Sequence, residues 1–148
     1  MPQTGVAKGA RSDLSDRDDF LAWVNSRLRD AEIAVHQGDA SGRRALWSAR
    51  EPVTVLGALN SATGRAELED LFTWMEGSFS GCSSFRFEIV AAEVIGDMAY
   101  TAGYEHTEAI VNGEVRSYTL RATQVYRREN GEWKVVHRHG SALPERLS

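Results

Sequence analysis

The sequence predicts one α+β domain in which three N-terminal helices cover one face of a curved, mostly antiparallel sheet. Apolar residues recur at spacings of three and four up to Phe79 and alternate with polar ones from Ser83 onward. The alternating half is divided by Gly96-Asp97, Asn112-Gly113 and Asn130-Gly131. A helix repeats its face every three or four residues and a strand every two, so the change of period separates a helical half from a sheet half. Asn and Gly tolerate the positive φ angles of tight hairpins, so the four strands form an antiparallel meander.

Ser15, with Asp16, Asp18 and Asp19 in the first turn, offers a cap and an acidic complement to the positive end of the first helix. Leu21, Val24, Leu28, Ala31 and Val35 then form its apolar stripe, and Gly38 ends it. Asp39 caps a short second helix running through Ala45, Leu46 and Trp47. Glu51-Pro52 disfavours helix, so a strand begins near Val53, and Asn60 to Gly64 reads as a loop. Leu68, Leu71, Phe72, Met75 and Phe79 make the stripe of the third helix. The predicted strands are 85–94, 98–111, 115–128 and 132–139. Residues 1–12 read as a tail, 13–141 as the domain and 142–148 as a C-terminal tail, with no internal repeat or linker.

Hydrophobic residues make up 42% of the 148-residue chain and charged residues 26%, enough apolar surface to build a core. The net charge of −4 argues against non-specific binding to nucleic acid or anionic membrane, which needs clustered Lys and Arg, and Arg127-Arg128 is too short a cluster to supply it. Cys82 is the only cysteine, so neither an intramolecular disulfide nor a multi-cysteine zinc site can form. No apolar run approaches the roughly 20 residues that span a bilayer, and no secretory signal opens the chain, so the expected location is the cytoplasm.

Hairpin register decides which polar side chains share the inner face. A three-residue Glu129-Asn130-Gly131 loop would set Arg127 opposite Trp133, Thr123 opposite His137 and Arg121 opposite His139. It keeps Val125, Trp133 and Val135 on one face and sends Gln124, Tyr126, Val136 and Arg138 to the other. A two-residue turn would mix Lys134, Val136 and Arg138 into the Arg121 face, so the first register is the expected one. Its inner face carries a row of Arg121, Thr123, His137 and His139, the polar wall of a pocket. In the preceding hairpin a two-residue turn puts Tyr104 opposite Arg121, with His106 at the rim. A three-residue turn puts Glu105 diagonal to Arg121, and both alternatives stay open.

Gly103-Tyr104-Glu105-His106-Thr107, the run from Leu120 to Arg128, and the ending from Gly131 to His139 resemble the SnoaL-like branch of the nuclear-transport-factor-2-like superfamily, over roughly residues 13–141. The resemblance implies a conical, cystatin-like α+β fold, frequent homodimers and a deep cavity. Ketosteroid isomerases, polyketide cyclases, epoxide hydrolases and non-catalytic binding domains all use that cavity. Fold membership does not specify chemistry, and the carboxylate base with acidic donors of ketosteroid isomerase has no residue-by-residue match here.

The functional expectation is a small-molecule pocket with cofactor-independent isomerase, cyclase or hydratase chemistry on a small, oxygenated, apolar substrate. His139, Arg121 and Glu105 are its candidate catalytic residues, because an imidazole beside a fixed cation and a carboxylate can move a proton. His137, Tyr104, Trp47 and Trp74 are candidate ligand contacts. His137 and His139 without a fixing loop or helix motif make a weak metal signal, so neither metal nor organic cofactor is expected. The expected partners are a small-molecule ligand and a second copy of the chain. The alternative is a non-catalytic ligand-binding or dimerisation domain that associates through the face bearing Gln124, Tyr126, Val136 and Arg138.

Overall fold

The computed structural model describes residues 15–143, so the predicted tails lie outside the described residues except for Ala142 and Leu143. The first helix, α1, runs through residues 15–23, a π-helical segment Val24–Leu28 and an α-helical segment Arg29–Val35. Along it Phe20, Val24, Leu28, Glu32 and His36 follow one another at intervals of four, and all five are buried. The stripe is therefore apolar at its N-terminal end and ionisable at its C-terminal end. Gly38 leaves the helix at φ 96°, a left-handed conformation open to glycine without a Cβ penalty.

Helix α2, Ser41–Leu46, starts where the Asp39 carboxylate accepts the Ser41 N–H at 2.9 Å. Strand β1, Thr54–Leu56, and β2, Ser61–Thr63, form a small hairpin, which places a strand inside the stretch predicted as loop. Helix α3, Arg65–Ser78, passes directly into β3, Phe79–Ile95, so Phe79 opens a strand instead of closing a helical stripe. Strands β4, Met98–Val111, β5, Glu114–Glu129, and β6, Glu132–Ala142, complete the predicted meander. The sheet order is β2-β1-β6-β5-β4-β3, antiparallel except that β1 runs parallel to β6.

The three helices pack on one face of this six-stranded sheet, the predicted fold class. Phe20 joins the layers, with Tyr126 and Trp133 edge-on at ring-centroid distances of 4.9 and 5.1 Å. Arg128 lies 4.7 Å over the Trp133 ring and bonds Asp16 at 3.2 Å, tying the start of α1 to the sheet. Arg44 of α2 bridges to Glu69 and Glu76 of α3.

The last hairpin departs from the expected register. Asn130 and Gly131 both have positive φ, 52° and 79°, and Glu129 pairs with Glu132, a two-residue turn. Val125 then faces His137 while Tyr126 faces Val135, so Val136 is an extra residue in β6, a bulge that switches which side chains point inward. Arg121 lies opposite Ser141 instead of His139, and Thr123 opposite His139 instead of His137. On β5 the face expected to be outside is the inner one, whereas Trp133 and Val135 of β6 are buried as expected and the inversion on β6 begins after Val136. Tyr126 is fully buried and Arg138 is 7% exposed, whereas Arg121, Thr123 and His139 are exposed. The expectation failed because it kept charge out of the interior, and a buried charge is tolerated when a partner meets it.

Candidate functional site

The inner face of the sheet is built in rows across strands. Phe85, Thr107 and Tyr118 share one row, Phe87, Glu105 and Leu120 the next, and Thr101, Gln124 and Arg138 lie two rows further on. The π-helical segment of α1 sets Val24 against the Thr101 and Gln124 row, and the ionisable end of the stripe reaches the Phe85 row.

Two ion pairs are buried there. Arg138 makes two parallel bonds to Glu105, at 2.6 and 2.7 Å, and a third to the Gln124 carbonyl at 3.3 Å. Gln124 donates to the Tyr126 hydroxyl at 2.7 Å, which lies 2.8 Å from the Thr101 hydroxyl. On the helical side Arg43 of α2 holds Glu32 of α1 at 2.7 to 3.0 Å and meets the Met75 sulfur at 2.9 Å. Among the described residues no buried side-chain nitrogen or oxygen lacks a partner. Two carboxylates and two guanidiniums thus neutralise one another.

Burial pushes the Glu105 carboxyl up, but Arg138 beside it, helped by Arg43 and His36, outweighs that and holds it below the usual carboxylate range. Burial drives the Tyr118 hydroxyl up to about 12, so it stays protonated as a donor next to Thr107. Burial lowers the His36 pKa, opposed in part by Glu32 and Glu105. His36 is therefore neutral near pH 7.

That neutrality has a measurable signature. A folded-state pKa below the ordinary histidine value means that the unfolded chain takes up the proton first as pH falls. The stability carried by neutral His36 is full above about pH 6.5 and lost below it. Glu105 adds a further loss at lower pH, as the medium passes through its depressed pKa. His137, lowered by burial and by His139, contributes with the same sign as His36. Urea midpoints should hold steady above pH 7 and fall from about pH 6.5 toward 5, less steeply in His36→Asn. An identical slope in that variant would contradict the assignment.

The interior beside this network is filled. A void of about 10 Å³ touches Glu105, Gln124, Tyr126 and Thr101, room for about one water. A larger cleft of about 560 Å³ opens where β6 ends and β5 continues, bordered by Ser84, His106, Thr107, Tyr118, Thr119 and Leu143, the last described residue. Thr107 and Tyr118, from the inner row above Glu105, border this cleft together with Ser84, Glu108, Ser117, His106 and Thr119 of the outer-face rows.

The structure disperses the residues singled out from sequence. Glu105 is in the network, but its partner is Arg138, not Arg121. Arg121 bonds Ser141 and the Ala142 carbonyl on the outer face, beside Tyr104, as the two-residue Asn112-Gly113 turn requires. His139 is exposed on that face, and His137 bonds the Thr54 hydroxyl at 2.7 Å. His106 bridges Glu88 at 2.8 Å and Thr119 at 3.0 Å. Trp47 is core, 2% exposed and packed on Phe72, and Trp74 stacks edge-on against Phe79. Among the described residues no three His, Cys, Asp or Glu side chains converge as metal ligands.

Sequence reasoning missed Glu32, His36 and Arg43. The signal for the first two was present: Glu32 and His36 continue the Val24, Leu28 spacing on the face that must be buried, which an exposed charge would not need to do.

No curated protein matches the chain. Solved structures match over most of its length. A nuclear transport factor 2-like protein from Salmonella enterica aligns at 19% identity and TM-score 0.74, covering 89% of this chain and 94% of its own. A Streptomyces avermitilis protein of the same fold family, provisionally described as a dehydratase, aligns at 19% identity and TM-score 0.69, covering 88% and 98%. A Thiobacillus denitrificans protein, provisionally a calcium/calmodulin-dependent protein kinase type II association domain, aligns at 22% identity and TM-score 0.63, covering 77% and 90%. These likenesses establish the fold, and the model of the SnoaL-like domain matches residues 24–145. With its helices laid on a six-stranded, nuclear-transport-factor-2-like sheet, this chain belongs to the SnoaL-like domain family.

Proposed function

We propose that the domain binds a small, uncharged, oxygenated molecule in the cleft at Thr107 and Tyr118, next to the buried ion pairs, and acts on it by cofactor-independent proton transfer. The observation that carries this reading is the pair of bidentate Arg–Glu bridges on the inner face. Burying four charges is costly, and apolar side chains of similar volume would stabilise an ordinary core as well or better. Both guanidiniums are already matched, so the site has no spare cation for an anionic ligand. The protonated Tyr118 hydroxyl is the donor suited to a carbonyl or hydroxyl oxygen. The putting together of donors, burial and an adjacent cleft supports isomerisation, cyclisation or water addition and elimination. A dehydratase description for one structural neighbour is compatible with this class.

The test is an NMR titration of the isotope-labelled protein with uncharged aromatic ketones and the matching carboxylates. The ketones should shift resonances of Ser84, Thr107 and Tyr118, with dissociation constants at least tenfold lower than those of the carboxylates. Shifts confined to residues away from the cleft, such as Tyr100, Arg121 and His139, or tighter binding of the carboxylates, would refute the reading.

Self-association is a second reading, favoured by the outer sheet face. That face mixes Arg86, Glu88, Glu93 and Arg121 with exposed Tyr100, and Val90 of β3 is also exposed, a composition that can complement its own copy about a two-fold axis. Neighbours described as association domains accord with it. Sedimentation velocity showing only a monomer at micromolar concentration would rule it out.

A further inference from the structure

Glu88, His106 and Thr119 stand on the outer face of three adjacent strands, β3, β4 and β5. The Glu88 carboxylate lies 2.8 Å from His106 Nε2, and the Thr119 hydroxyl lies 3.0 Å from His106 Nδ1. A carboxylate only accepts, so in the neutral ring Nε2 carries the proton and Nδ1 accepts from the Thr119 hydroxyl. A hydroxyl donating to an imidazole that a carboxylate holds in one tautomer is the arrangement that activates an oxygen nucleophile. His106 and Thr119 both border the cleft of about 560 Å³, so a molecule held there reaches the hydroxyl.

The backbone of Thr119 is open as well. Strand β6 stops pairing at Ala142, opposite Leu120, so β5 runs from Glu114 to Tyr118 without a ladder partner on that side among the described residues. The Leu143 N–H donates to the Thr119 carbonyl at 3.4 Å, which fixes the direction of the Thr119 peptide groups toward this free edge. The N–H and carbonyl of a strand residue point the same way, so the Thr119 N–H faces the edge too, and it has no acceptor among the described residues. The N–H of the nucleophile's own residue is a ready donor to an oxyanion.

The charges nearby balance. Glu88 faces Arg86 at 4.0 Å, Glu108 accepts from the Ser83 and Ser117 hydroxyls at 2.7 and 2.8 Å, and Arg121, next on this face of β5, holds Ser141 and the Ala142 carbonyl. Two carboxylates against two guanidiniums give no net attraction for an ion, and Ala142 and Leu143 add an apolar wall. A small uncharged ester fits these surroundings.

We propose that this side of the cleft is an acyl-transfer site that cleaves small uncharged esters, with Thr119 as nucleophile, His106 as its base and Glu88 positioning the imidazole. The inference rests on the cleft binding an uncharged molecule, as read above, and adds a second activity there. In the first step the Thr119 hydroxyl gives its proton to His106 Nδ1 as Oγ1 bonds to the ester carbonyl carbon. The carbonyl oxygen takes the negative charge and accepts from the Thr119 N–H. The bond from that carbon to the alkoxy oxygen then breaks, and the alkoxide leaves as the alcohol with the proton from His106. Water next gives a proton to His106 and bonds to the acyl carbon. Thr119 Oγ1 departs with that proton, and the carboxylic acid is released.

The probe is p-nitrophenyl acetate, mixed with the whole chain. Nitrophenolate release is read by absorbance, and the acetyl adduct is located by peptide mass spectrometry. The wild type should carry the adduct on Thr119, and release should be about 100-fold slower or more in Thr119→Val and in His106→Gln. Thr119→Ser keeps the hydroxyl and should keep release. Glu88→Gln should lower kcat by about tenfold or more with KM unchanged. Long-range nitrogen–proton correlation should place the His106 ring proton on Nε2, and urea midpoints check that each variant folds. Release undiminished in Thr119→Val, acetylation confined to lysines and the N-terminus, or a ring proton on Nδ1 overturns acyl transfer while leaving the pocket, which the ketone titration reports separately. Absence of both the ketone shifts and the Thr119 adduct overturns both readings.

Discussion

Replacing Arg138 by Met is expected to cost about 3–5 kcal/mol of folding stability, because it strands the Glu105 carboxylate in an interior where Arg138 makes both of its close bonds. The Gln124 carbonyl would lose its Arg138 donor as well. The partner substitution separates structure from function. Removing both charges with Glu105→Leu in the same chain leaves apolar groups of similar bulk, and most of the lost stability should return. A double variant that refolds to near wild-type stability yet no longer binds an uncharged ketone would show the pair to be kept for the site. Urea unfolding of the two variants checks the first statement, and one in which Arg138→Met loses under 1 kcal/mol would contradict it.

Gly103→Ala is expected to be nearly as damaging, at about 3 kcal/mol or more, although it adds a single methyl group. Gly103 lies on β4 opposite Ile89, next to the place where β3 carries an extra residue between Ile89 and Ala91. A Cβ there would run into the Glu88 carbonyl oxygen and approach the Val90 nitrogen at 3.0 Å, both backbone atoms that cannot rotate away. The bulge would have to move, and with it the row carrying Phe87 and Glu105. Gly113→Ala is the contrasting control: nothing lies within 4 Å of its Cβ, but its φ of 83° still strains any other residue, so its cost should be smaller. Thermal melts of the two variants that showed equal losses would refute the steric account.

The helical half was legible because its period is local. Val24, Leu28 and Val35 were placed correctly on the buried stripe of α1, as were Leu68, Phe72 and Met75 on α3. Asn112-Gly113 and Asn130-Gly131 marked the hairpins for the reason found in the structure: all four residues have positive φ. The strand at Ser61–Thr63 was not legible, because three residues pair with β1 without any alternating pattern of their own. The start of β3 at Phe79 was hidden by the helical spacing that leads up to it.

The candidate site depended on one residue. A bulge at Val136 decides whether His137 and His139 or Arg138 and Gly140 point inward, and a bulge leaves no period to read. Register then moved the chemistry from Arg121 and His139 to Arg138 and Glu105, and brought Glu32, His36 and Arg43 from the helices to meet them.

By itself the sequence determined the three helices, the four long strands, the order of the meander and the family, since these follow from neighbours within a few residues of one another. Only the tertiary structure decided which polar side chains meet. A buried charge is stable solely where an opposite charge reaches it from another element, and that meeting is a property of the assembled layers, not of any stretch of chain.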